Sequence, residues 1–172
     1  MQIIKSILLI IFLILVAISD IKTRKIKNII VYPFIIVGLI VNLYESGVKG
    51  AFESLYGILL PIIFLFPLFL LRMLGAGDIK CFSAIGAMMG GRFVIASIIF
   101  SFLAGGLFAL IIMIVNKNAA QRFKHLIDYL KSCFLTFSVS QYDNLKTSSG
   151  AFRFSFAIVL GVGIQLINFI SM

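Results

Sequence analysis

With 172 residues, 62% of them hydrophobic, and a mean hydropathy of +1.17, the chain has more apolar surface than a soluble domain of this length can bury. Lipid must cover the remainder, which makes this a polytopic membrane protein. The net charge of +9 comes without a soluble basic domain or an aromatic-interleaved patch, so it argues against nucleic acid and for contact with an anionic lipid surface. Cys81 and Cys133 show no CxxC pairing and no histidine-rich neighbourhood. Neither a disulfide framework nor a metal or cofactor site is expected.

Six apolar segments follow one another: 4–19, 29–44, 55–71, 79–90, 93–115 and 152–170. The first is too long for a signal peptide and its basic cluster follows it, so it reads as a retained helix. Glu45 and Glu53 fall in a short outer loop after the second segment. Pro61 and Pro67 should bend the third, with neighbours satisfying the freed carbonyls. At "LLRMLGAGDIKCFSAIG", Gly75 is expected to end the third helix in a left-handed conformation. Gly77 is expected to admit a closely approaching backbone, with Asp78 opening the fourth helix. Gly86 and Gly90, then Ser97, Ser101, Gly105 and Ala109, recur every four residues and mark helix-packing faces.

Within 116–151, Phe123, Leu126, Ile127, Leu130, Phe134 and Phe137 repeat at helical spacing. They describe either an amphipathic helix on the cytosolic leaflet or a connector packed on the bundle, with His125 as an interfacial polar residue. The fold class is therefore all-α: a polytopic membrane helix bundle of about six transmembrane helices plus a cytosolic amphipathic helix, a single membrane-embedded domain over 1–172.

Alternating sides puts Lys22, Arg24, Lys25, Lys27, Arg72, Lys80 and the six basic residues of 117–153 together. Only Lys5, Lys49 and Arg92 fall opposite. By the positive-inside rule both termini face outward, and the 20–28 and 116–151 loops face the cytosol.

Among the six acidic residues, Glu45, Glu53, Asp128 and Asp143 fall in loops, whereas Asp20 and Asp78 border membrane helices on the cytosolic side. Asp78 to Arg92 and Lys5 to Asp20 are stretches of similar length, about 21–22 Å of helix at 1.5 Å per residue. Against a hydrocarbon core of roughly 30 Å, both carboxylates sit below the cytosolic boundary at similar depth. Carboxylates there must face the bundle interior or a wet cavity. If they meet, one holds a proton and the other does not, which is the arrangement of an aspartic protease. The alternative is helix capping, with Asp78 as an N-cap and Asp20 as a juxtamembrane anchor.

At these residues the chain resembles the type IV prepilin peptidases, GxGD membrane aspartic proteases, in their short tight-adherence form. "SDIKTRKIKN" aligns Asp20, Ile26 and Asn28 with the family pattern, Lys27 standing where the family has proline. "GAGDIKCFSAIGAMMG" aligns Gly75, Gly77, Asp78, Ile79, Lys80, Gly86 and Gly90. The resemblance implies Asp20 and Asp78 as the catalytic pair and Gly75 and Gly77 as catalytic-loop backbone. It also implies prepilin-like substrates with a short basic leader, cleaved at the cytosolic face of the cytoplasmic (inner) membrane. Lys22, Arg24 and Lys80 are candidates to meet an acidic substrate residue after the cut, or simply obey the positive-inside rule. The short stretch from Asp20 to Asn28 leaves no room for the cytosolic domain of longer relatives, so methyl transfer is not expected. Two other readings remain open: an archaeal-type preflagellin peptidase, and a small proton-coupled transporter or channel using Asp20 and Asp78 as a relay.

Overall fold

The structure, a computed structural model, describes residues 2–23, 25–71, 73–115 and 154–171. All regular structure among them is helical: α1 (Gln2–Thr23), α2 (Asn28–Leu70), α3 (Ala76–Met89), α4 (Gly91–Val115) and α5 (Phe154–Ser171). Helices α1, α2, α4 and α5 are long and apolar enough to cross a membrane. The chain is a multi-pass membrane protein. The amphipathic segment expected around 123–137, with His125, Asp128, Cys133 and Asp143, lies outside the described residues. The chain divides into two compact units, 1–105 with 153–172, and 106–152. Of the second, only 106–115, the last turns of α4, is described.

The expected outer loop between the second and third segments is reduced to a tight turn at Gly47. Helix α2 runs for 43 residues through both, interrupted only at Gly47, where φ is 60° and ψ is −140°. A straight helix of that length would reach about 64 Å, roughly twice the hydrocarbon thickness. One residue in a backbone region closed to most side chains is enough to divide it into arms 28–46 and 48–70. Beyond the break Gly50 lies against the Asn42 carbonyl, where no side chain fits. Glu45, expected as a solvated loop residue, is instead on the helix and ion-paired with Lys5 of α1. Pro33, Pro61 and Pro67 all lie within α2, and none of them is the break.

Helix α3 is short and enclosed. Its 14 residues span about 21 Å, less than the hydrocarbon core. Every residue from 81 to 88 is buried, the signature of a helix surrounded by protein. Glycine makes this possible on the α2 side. A methyl on Gly38 would lie 2.9 Å from the Ala87 carbonyl, and Gly57 and Gly86 meet backbone to backbone. Pro61 has no N–H to offer the carbonyl of Gly57 one turn back. That carbonyl faces the Cα of Gly86 instead, a position suited to a weak C–H···O contact.

The last carbonyls of α3 need donors, because they end among apolar helices. Asn42 Nδ2 lies 2.9 Å from Ala87 O, 3.1 Å from Met88 O and 3.0 Å from Gly38 O, so two amide protons serve three carbonyls. Ser54 Oγ donates to Ala87 O at 2.9 Å. Lys5 Nζ donates to Asn42 Oδ1 at 2.6 Å, which fixes the amide orientation. Gly90, at φ 85° and ψ 173°, then turns the chain into α4.

Helix α5 runs antiparallel to α4 within the first unit. Phe93 meets Phe169, Gly161 abuts the Ser101 backbone, and Phe102 meets Phe154 with ring centroids 5.3 Å apart. On α1, Leu9, Phe12, Leu13, Val16, Ser19 and Asp20 form one buried stripe, with Phe12 against Phe34 of α2 at 5.0 Å.

Asn42→Leu removes the donors that close α3 and should lower unfolding stability by roughly 1–3 kcal/mol, the usual penalty for buried carbonyls left unpaired. Ser54→Ala, which leaves Ala87 O with Asn42, should have a smaller effect. Denaturant titration in detergent micelles checks both.

Candidate active site

The end of α1 is shaped by hydroxyls. Helix α1 continues one turn past the expected end, to Thr23, so Asp20 lies within its last turn and on its buried stripe rather than terminating it. Ser19 Oγ donates to Lys25 O at 3.0 Å. Thr23 Oγ1 lies 2.8 Å from Ser19 O and 3.0 Å from Lys25 O, and its single proton serves one of them at a time. Capturing the Lys25 carbonyl folds residues 25–27 back over the helix end. Ile26 is thereby brought against Gly77 of α3.

The start of α3 departs from expectation in two ways. Gly75 is not left-handed: its φ of −78° and ψ of 145° are ordinary extended backbone, and it occupies the N-cap position. Asp78 is three residues further on, so it is not the N-cap, and its backbone N–H donates to Gly75 O at 3.1 Å. Its acidic side chain in the first turn suits the positive end of the helix dipole. Gly77 is helical, and its neighbour is a side chain rather than a backbone: a methyl there would lie 3.3 Å from Ile26 Cβ. A methyl on Gly75 would lie 3.3 Å from Asp78 Oδ2. Both glycines therefore make room, one for Ile26 and one for the Asp78 carboxylate.

These pieces enclose a cavity of about 350 Å³ lined by Asp20, Lys25, Ile26, Gly75, Gly77, Asp78, Phe154 and Ser155. It brings together both aspartates and both glycines singled out in the sequence. Asp20 is 9% exposed, and Ser155 Oγ donates to its Oδ2 at 2.5 Å. An adjoining cavity of about 440 Å³ shares Gly75 but is otherwise lined by Phe69, Leu70, Met73 and Leu74, which have no group able to move a proton.

The expected substrate-contacting cations are placed differently. Lys22 is exposed in the last turn of α1 and does not line the cavity. Lys80 Nζ donates to Asn28 Oδ1 at 3.1 Å and lies 6.0 Å from the Tyr32 ring centroid, tying the starts of α3 and α2 together. Arg24 lies outside the described residues. Among those described, the cation that lines the cavity is Lys25. In sequence it is indistinguishable from the lysines around it. Ser155 also lines the cavity without a distinctive sequence pattern around it. Its one signal is a hydroxyl near the start of an apolar segment. Among the described residues no group of three or more His, Cys, Asp or Glu side chains could hold a metal ion.

Two carboxylates on different helices share one cavity at one end of an apolar, membrane-spanning bundle. The chain belongs to the type IV leader peptidase family, whose model matches residues 7–114. It is thus a peptidase of the leader-cleaving kind. No curated protein and no solved structure matches the chain. The family match ends within α4, so Phe154 and Ser155 enter the site from outside it.

The Ile26–Gly77 contact yields a test. Gly77→Ala gains helix propensity of about 1 kcal/mol against a tight but yielding contact, so stability should change by less than ~1 kcal/mol. Gly77→Leu should displace Ile26 and lower substrate cleavage per folded molecule, and Ile26→Ala in the same chain should recover part of the loss. A double-mutant cycle on cleavage rate measures that coupling.

Proposed function

We propose that the protein is an aspartic endopeptidase that removes the short basic leader from type IV prepilin-like precursors at the cytosolic face of the cytoplasmic membrane. The observation that carries this reading is the shared cavity of Asp20 and Asp78, two carboxylates brought from α1 and α3 to the same end of the bundle. Family membership supplies the class of reaction. The crowding of basic residues at the cavity's end of the chain supports the cytosolic orientation.

In this mechanism the pair shares one proton. The ionised member accepts a proton from a water in the cavity while the water oxygen attacks the scissile carbonyl carbon. The protonated member donates to the carbonyl oxygen. As the tetrahedral intermediate collapses, the C–N bond breaks and the amine takes the proton that came from water. The hydroxyl of the intermediate returns its proton to the other carboxylate. One water is consumed and the pair is restored. The acidic residue beyond the cut is met by the basic residues that follow Asp20 in the sequence, Lys22 and Arg24 among them, while Lys80 is committed to Asn28.

Asp20→Asn and Asp78→Asn should each abolish cleavage of a prepilin-like substrate by purified protein, with folding and insertion unchanged. Asp128→Asn and Asp143→Asn should cleave like the parent. Full processing by either of the first two variants would remove the aspartic mechanism. The pH–rate profile should be bell-shaped, with its two limbs belonging to the pair and not to either residue. Incubation with EDTA should leave the rate unchanged, and a chelator-sensitive activity restored by zinc would point to a metallopeptidase.

A further inference from the structure

Hydroxyls in membrane helices usually donate to a carbonyl one turn back in their own helix. Ser83 is 3.0 Å from Ile79 O, Ser101 is 2.7 Å from Ser97 O, and Thr23 is 2.8 Å from Ser19 O. Ser155 does otherwise. It is the second described residue of α5, and its Oγ crosses to Asp20 Oδ2 at 2.5 Å rather than to its own helix. Both partners are buried, Ser155 at 4% and Asp20 at 9% exposure. A buried carboxylate oxygen needs a donor, and here the donor comes from a helix beyond the family match.

The register of α5 is held independently of this bond. Ser155, Ala157, Ile158, Gly161, Val162 and Leu166 form its buried face. Gly161 is pressed against the backbone of Ser101, and the Phe154 ring packs on Phe102 beside Gly105. These contacts set the height of the Ser155 hydroxyl before Asp20 is considered.

We propose that Ser155 is the positioning residue of Asp20. Its hydroxyl holds Oδ2 and so fixes the carboxylate plane, leaving Oδ1 as the oxygen that takes the proton from the attacking water. The assignment rests on the aspartic peptidase reading. It makes Asp20 the base and Asp78 the acid in the first step. The water proton passes to Asp20 Oδ1, the Asp78 proton passes to the substrate carbonyl oxygen, and the proton on Asp20 later goes to the departing amine. Ser155 keeps its own proton throughout and forms no bond to substrate. A fixed carboxylate matters because proton transfer and attack require the reacting atoms within a narrow range of distance and angle.

The test uses the purified full chain in detergent, a prepilin-like substrate, and the variants Ser155→Ala, Ser155→Thr and Asp20→Asn. Ser155→Ala should lower kcat per folded molecule by roughly 10- to 100-fold, the scale of small misplacements of reacting groups. KM should stay near the parent value, while the melting temperature should fall modestly because a buried carboxylate loses its donor, which is why kcat is taken per folded molecule. Ser155→Thr, which keeps the hydroxyl, should recover most of kcat. An inactive Asp20→Asn beside a Ser155→Ala enzyme of near-parental kcat would overturn the positioning role and leave the peptidase reading standing. An active Asp20→Asn would overturn that reading and the inference with it. Loss in Ser155→Ala that Ser155→Thr does not recover, or loss carried in KM, would make Ser155 a packing residue and overturn the inference as well.

Discussion

The backbone contact between α2 and α3 is the constraint on which the rest of the molecule depends. A 14-residue helix cannot reach across a bilayer alone, so α3 has to be carried by its neighbours. Gly38 and Gly57 of α2 face Ala87 and Gly86 of α3 without side chains between them. Such close approach replaces the hydrophobic driving force that lipid removes with dispersion and short polar contacts. It also fixes α3 along its axis, because sliding by one residue would set a side chain against a backbone. Asn42, Ser54 and Lys5 then close the far end of α3. With that end held, the near end delivers Asp78 to one place.

What surrounds Asp78 is built to the same tolerance. Gly75 leaves space for the carboxylate and Gly77 leaves space for Ile26. The loop carrying Ile26 is folded back by the hydroxyls of Ser19 and Thr23, which flank Asp20 on α1. One short stretch therefore supplies a carboxylate, the means of turning the chain after it, and the side chain that covers the start of α3. Lys80, although adjacent in sequence to this chemistry, is spent on joining α3 to Asn28.

The contribution of α5 is of a different kind. It lies past the residues that the family model matches, and its packing on α4 uses small residues and rings at three levels. It nonetheless delivers a hydroxyl that meets Asp20. A site assembled from α1, α3 and α5 depends on the packing of all three, so substitutions far from the aspartates can reach it through helix register.

The amino-acid sequence by itself determined that the protein is a helical membrane bundle, because no soluble fold of this size buries so apolar a chain. It also set Asp20 and Asp78 apart from the other acidic residues, through their places at the borders of apolar segments. Apart from the four-spaced small residues of α3 and α4, of which Gly86, Ser97, Ser101 and Gly105 are buried, it was silent on which helix faces turn inward. Helix α1 is apolar nearly all round, so the stripe Leu9, Phe12, Val16 and Asp20 had no polar face to contrast with. The Gly47 break was hidden for a related reason: Glu45 and Glu53 resemble loop residues until Lys5 is seen to pair with Glu45. Gly75 and Gly77 were marked as important in sequence, yet their reasons are steric, set by Asp78 and Ile26, and not conformational. Ser155 and Lys25 were chosen by tertiary structure alone. A serine at the start of an apolar helix has the same composition whether it faces lipid, its own backbone or a carboxylate, and only the packing of α5 against its neighbours decides which.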